Sequence, residues 1–237
     1  MKNALLKLLA YVIVFTLAGI FIVKFAAPQV LRAYIQTGIG NCSSIPILCM
    51  SPEETQVVFK KDDQYAQELT PLAFPKTKLS APKGFKVVEE LVKKPFYKKK
   101  RTRSAEAVIY VLYEPPDFFI KLFPQVKKAG IKNNYEFMRS LMFARETSIN
   151  NINDAFFVIL KSIFTPDLGD QKKVKMLQFK SEGRDYFLNY NLSGPVNFFD
   201  CSIITQSGDF FKVYIKDTRK ALDLDKAFTI ASGISPA

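Results

Sequence analysis

Two kinds of side chain in this 237-residue sequence occur at spacings that suggest chemistry: paired cysteines and a dense basic run. Cys42 and Cys49 lie in NCSSIPILCM with six residues between them. A bridge would close a short ring, stabilise the local fold by roughly 2.5 kcal/mol on the chain-entropy model, and persist in an oxidising compartment. The alternative is two unpaired small residues in a loop. Cys201 falls in a strand pattern and reads as a core residue, not a nucleophile. The basic run is KKPFYKKKRTR, with Lys93, Lys94, Lys98, Lys99, Lys100, Arg101 and Arg103. It is a candidate polyanion or anionic-lipid contact, at about 1 kcal/mol per basic residue near a charged bilayer. A solvated connection between two strands, kept soluble by charge, is the preferred reading.

Catalytic chemistry has little to build on. The chain contains no His, which removes the usual base for a Ser or Cys nucleophile and the commonest metal ligand. Three cysteines alone do not build a structural zinc site. The adjacent acids Glu89-Glu90 and Asp62-Asp63 point apart in a strand and do not make a two-carboxylate mechanism. No GxxxxGK[ST] or GxGxxG occurs, so no phosphate or dinucleotide cradle is signalled. The expectation is a non-enzyme with no catalytic, metal or cofactor-binding residues and no cofactor. A membrane-tethered hydrolase lacking histidine is the catalytic alternative.

The elements that position these residues begin with Leu8–Val23, a charge-free apolar run bracketed by Lys7 and Lys24. With its flanks, Ala4 to Ala27, it spans about 36 Å as a helix, enough for a hydrocarbon layer of about 30 Å. Pro28 and the lack of an A-x-A site argue against cleavage as a signal peptide. The basic residues before it, with the α-amine, place the N-terminus in the cytoplasm. Net charge is +12, of which residues 1–50 carry +4, residues 51–104 carry +6 and residues 105–237 carry +2. The folded region is therefore nearly neutral, and nucleic acid is a disfavoured partner.

Val30, Leu31, Tyr34 and Ile35 recur at helical spacing and suggest a short amphipathic helix at the membrane surface. Residues 51–84, with four prolines, read as a partly ordered connection holding one short strand at 56–59. Residues 85–92 and 107–113 are strand candidates. Helices are expected at 118–123, from 134 to about 147, and at 153–165, the last apolar nearly all round. Two hairpins follow. Gly183 and Gly208 each end a three-residue loop, where φ is positive. That register sets Ile203 opposite Phe211, Cys201 opposite Val213 and Phe199 opposite Ile215; by the same rule Met176 pairs with Leu188 and Val174 with Tyr190. A closing helix over 222–234 lies across the sheet.

Phe-Phe doublets start at 118, 156, 198 and 210. A doublet in a strand sends one ring to each face, so Phe198 and Phe210 leave apolar surface away from the closing helix. Either the 153–165 helix covers it or a partner does, which makes these two residues the candidate partner patch. The order of entry strand, helices, paired hairpins and closing helix over residues 78–235 resembles the small α/β sandwich of PsbP-like proteins. The resemblance is one of layout and implies no residue roles.

The sequence thus predicts an α/β (α+β) chain: an N-terminal transmembrane helix, then one domain with an antiparallel sheet of at least four strands packed against helices. Residues 1–28 are the anchor, 29–84 a juxtamembrane segment and linker, and 85–237 the extracytoplasmic domain. The expected work is binding or assembly as a single-pass, uncleaved signal-anchor protein. Its expected partners are the lipid bilayer, through residues 4–27, and a membrane or envelope protein.

Overall fold

The computed structural model describes residues 2–21, 24, 26–55, 59–89 and 107–237, with side chains from Val12 onward. Helices are α1 (Lys2–Phe21), α2 (Ala27–Gly38), α3 (Asp63–Glu68), α4 (Phe118–Leu122), α5 (Asn134–Phe143), α6 (Ile152–Phe164) and α7 (Leu224–Ser232). Strands are β1 (Glu53–Glu54), β2 (Thr70–Ala73), β3 (Thr77–Ala81), β4 (Lys86–Glu89), β5 (Val108–Glu114), β6 (Lys175–Ser181), β7 (Arg184–Asn191), β8 (Asn197–Ile204), β9 (Phe210–Asp217) and β10 (Ser235–Pro236). Seven strands form one sheet in the order β1-β6-β7-β8-β9-β5-β4, and β10-β3-β2 form a smaller one. The chain is a mixed α/β protein with its main sheet packed between layers.

Alternation along the strands builds two cores. Tyr186, Leu188, Phe199, Cys201, Ile203, Phe211, Val213 and Ile215 face α7 and the small sheet, meeting Phe228, Ile230, Ala231 and Leu79. The opposite pleat, with Phe187, Ile204, Phe210 and Tyr214, faces α4, α5 and α6. Caps fix where the helices begin. Asn133, Asn151 and Asp223 each accept from backbone N–H groups of the first turn, which satisfies donors the helix itself cannot.

The second hairpin has the expected register, with Ile203 opposite Phe211 and Cys201 opposite Val213. Gly208 sits at φ +88°. The first hairpin differs by one residue: Leu177 faces Leu188 and Lys175 faces Tyr190. Its loop is the two residues Glu182 and Gly183, with φ of 48° and 73°. Positive φ at both positions is what a two-residue loop needs to match strand twist. Met176 therefore turns to the helical side and not to the face of Leu188. β4 and β5 run parallel, not as a hairpin.

Residues 29–84 are not a linker. Ile35, Ile47, Leu48, Leu69, Leu79 and Ala81 are buried, β1 adds to β6, and β3 pairs with both β2 and β10. α2 is docked on one side and exposed on the other, where Val30 and Tyr34 face outward. Its Ile35 packs with Leu48, Ile149, Ala155 and Val158, which fastens it to α6. Most of the 56–59 strand expectation lies outside the described residues.

Lys161, buried inside α6, explains why α5 stops at Phe143 rather than near Thr147. Its Nζ donates to the carbonyls of Met50 (2.6 Å), Met142 (2.7 Å) and Ala144 (2.9 Å). Two of these are end-of-helix acceptors that α5 cannot satisfy internally. Burial pushes this ammonium down to about 7, and the nearby Arg145 charge adds to the effect. Above that pH the folded chain releases a proton that the unfolded chain keeps up to about 10.4, so this group penalises folding fully below about 7 and less as pH rises. We expect the stability of the native protein to gain on that of Lys161→Met between about pH 7 and pH 10. Urea unfolding at a series of pH values measures it; a difference that is flat or shrinks with pH contradicts this account.

Among the described residues no helix is long and apolar enough to cross a membrane. The spanning anchor expected for residues 4–27 draws no support from that criterion.

Candidate functional site

The chemistry-bearing groups that the fold brings together lie between α2, the 3-10 turn Pro46–Cys49 and the 3-10 turn Glu146–Ser148. Asn41 starts the approach: its Oδ1 accepts from the N–H groups of Ser43 (3.0 Å) and Ser44 (3.1 Å), tightening the loop after α2. Pro46 then opens a turn whose Ile47 and Leu48 are buried in two different clusters. That anchoring returns Cys49 to Cys42, and the two are bonded across a Cα separation of 5.5 Å.

Glu146 is buried beneath the bridge. Its Oε2 lies 2.8 Å from Cys42 Sγ and 3.6 Å from Cys49 Sγ. Its Oε1 accepts from Gln36 Nε2 at 2.7 Å and sits 3.8 Å from Arg32 Nε, while Arg32 Nη2 donates to the Thr147 carbonyl at 2.7 Å. Cys42, Cys49 and Glu146 form the one three-ligand group among the described residues. Bonded sulfurs offer no thiolate, and thiolate is the form that ligates a metal or attacks in exchange. In this state the cluster is a clasp that ties the end of α2 to the α5–α6 connection.

Beside the clasp, a cleft of about 430 Å³ is lined by Ser140, Arg145, Ser148, Asn153 and Asp154 among others. Its acid is engaged: Asp154 Oδ2 accepts from Asn150 N (2.8 Å) and Asn151 Nδ2 (3.1 Å). No nucleophile–base pair is assembled in it. The remaining notable charges are deep in the fold. Asp200 and Lys212 meet at 3.0 Å between the sheet and α6, both nearly fully buried. Burial pushes the Asp200 carboxyl up, and Lys212 pulls it back. Burial also pushes the Cys201 thiol far up, which makes it inert as a nucleophile. Sequence reasoning missed Lys161, Asp200, Lys212 and Glu146. The signal available was a charge at an inward position of an otherwise apolar strand or helix.

The other expected sites come out as follows. Phe210 is buried and packs edge-on to Phe119 at 5.0 Å, and Phe198 is half-buried against the same helical cluster. The two are therefore not a partner patch; α4, α5 and α6 cover that pleat. Lys93, Lys94, Lys98, Lys99, Lys100, Arg101 and Arg103 lie outside the described residues. Asp62 caps α3 by accepting from Tyr65 N at 2.9 Å, and Glu89 accepts from Thr77 Oγ1 at 3.4 Å. Comparison of the chain with protein-family models, with curated proteins and with solved structures finds no match. The likeness to PsbP-like proteins thus rests on element order alone.

Proposed function

We propose that this protein is a membrane-tethered α/β domain that works by binding or assembly, not catalysis, on the extracytoplasmic side of a bilayer. The observation that carries the reading is α1. Val12, Ile13, Val14, Phe15, Leu17, Ile20 and Phe21 are between 49% and 74% exposed. Four consecutive residues at about 100° per step reach every side of the helix, so no single protein face would cover them. Apolar surface of this extent marks a lipid or partner contact, and lipid surrounds a helix on all sides.

Two features agree with it. The clasp at Cys42 and Cys49 suits an oxidising compartment. The docking of α2 on α6 makes the helix that follows α1 part of the folded domain. The test is membrane partition of full-length protein carrying Val14→Asp and Leu17→Asp. Each Asp near the centre of a span costs about 3 kcal/mol, so the variant is expected to move into the soluble fraction. Its urea midpoint stays native, because these side chains lie outside the folded core. A variant that remains with the membranes as fully as the native chain overturns the reading.

A further inference from the structure

Resting on that reading, we propose that the domain lies on the bilayer by one defined face, the shelf formed by α2 and the first residue of α6, which enters the lipid interface. Ala27, Val30, Leu31 and Ile152 line a shallow apolar hollow of about 660 Å³, with Asn150 and Asn151 at its rim. Ile152 is 71% exposed and Val30 66%. Tyr34, one turn beyond Val30 on α2, is 74% exposed. Asn151 already caps this helix, so the Ile152 side chain has no capping role, and it contributes little to the core.

The occupant is argued from continuity and charge. The hollow includes Ala26, five residues past the end of the exposed apolar helix α1, so the length of the chain keeps it within about 18 Å of that helix's end. Leu31 and Ile35 lock α2 to Leu48, Ile149 and Val158, so the shelf cannot swing away from α1 independently of the domain. On the domain's side of α1, no Asp or Glu precedes Glu53, while Lys24 and Arg32 do. That charge pattern suits an anionic lipid surface. Tyr34 supplies the amphipathic ring that favours the headgroup level.

The chain has no Trp, so each Trp introduced is a lone reporter. Full-length Ile152→Trp, Val30→Trp and, as a control at the exposed position 78 of β3, Lys78→Trp are placed in vesicles of phosphatidylcholine and phosphatidylglycerol with brominated acyl chains. Quenching at residues 152 and 30 is expected to exceed that at 78 by roughly two-fold or more, with a blue-shifted emission, as an interfacial depth of about 5–10 Å requires. Equal quenching at all three positions in protein that floats with the vesicles overturns the shelf and leaves the tether standing. A blue shift at 152 without quenching means protein covers the hollow, which also overturns the lipid assignment. Failure of the native chain to float with vesicles removes the tether and this inference together.

Discussion

Asp200→Ala lowers the unfolding free energy by about 3–5 kcal/mol, measured as the shift in urea midpoint of the full-length protein in detergent. Asp200 Oδ1 faces Lys212 Nζ at 3.0 Å, and Oδ2 accepts from Asn189 Nδ2 at 3.1 Å. Lys212 Nζ also donates to the Phe164 carbonyl, the last residue of α6, at 2.8 Å. The pair thus joins β8 and β9 to the end of that helix inside an apolar layer. Truncating Asp200 removes the countercharge and leaves the ammonium in the interior, which costs more than the pair itself contributes. The double variant Asp200→Leu with Lys212→Met, which leaves neither charge buried, is expected to recover at least half of the loss. A single variant within about 0.5 kcal/mol of the native protein would mean the pair is solvated.

Phe137→Ala is the second large loss, about 3–5 kcal/mol. Phe137 is buried at the centre of an aromatic stack. Its ring lies parallel to Phe119 at 4.7 Å and to Phe123 at 5.7 Å, and edge-on to Phe157 at 5.5 Å. Removing it opens a void bounded by α4, α5 and α6 at once, where collapse is hindered because each neighbour is itself a large ring. Phe137→Leu keeps most of the volume and is expected to cost less than about 1.5 kcal/mol. Equal losses for the two variants would show that ring stacking, not filled volume, sets the effect.

These sites show what sequence could reveal and what it could not. The β8–β9 register and the helices capped by Asn133, Asn151 and Asp223 were legible because each rests on neighbours within one turn or one hairpin. The β6–β7 register was not, because Glu182 adopts a positive φ that its side chain does not announce. The prolines between residues 51 and 84 suggested a linker. They instead separate short strands, of which β1 pairs with β6 and β3 with β10, far along the chain, as well as with β2. Lys161, Asp200 and Lys212 did not stand out because the partners that make their burial tolerable lie on other elements. Glu146 acquires meaning only when α2 folds back and brings Cys42, Gln36 and Arg32 to it. The Phe doublets were read correctly as two-sided, but which element covers Phe210 depended on packing.

The tether is the claim from which the rest of the functional reading follows. Its most direct measurement is extraction of native membranes at alkaline pH, without detergent, followed by sedimentation of the full-length chain. The account predicts that the chain stays in the pellet and dissolves only with detergent; its recovery, intact, in the alkaline supernatant would contradict it.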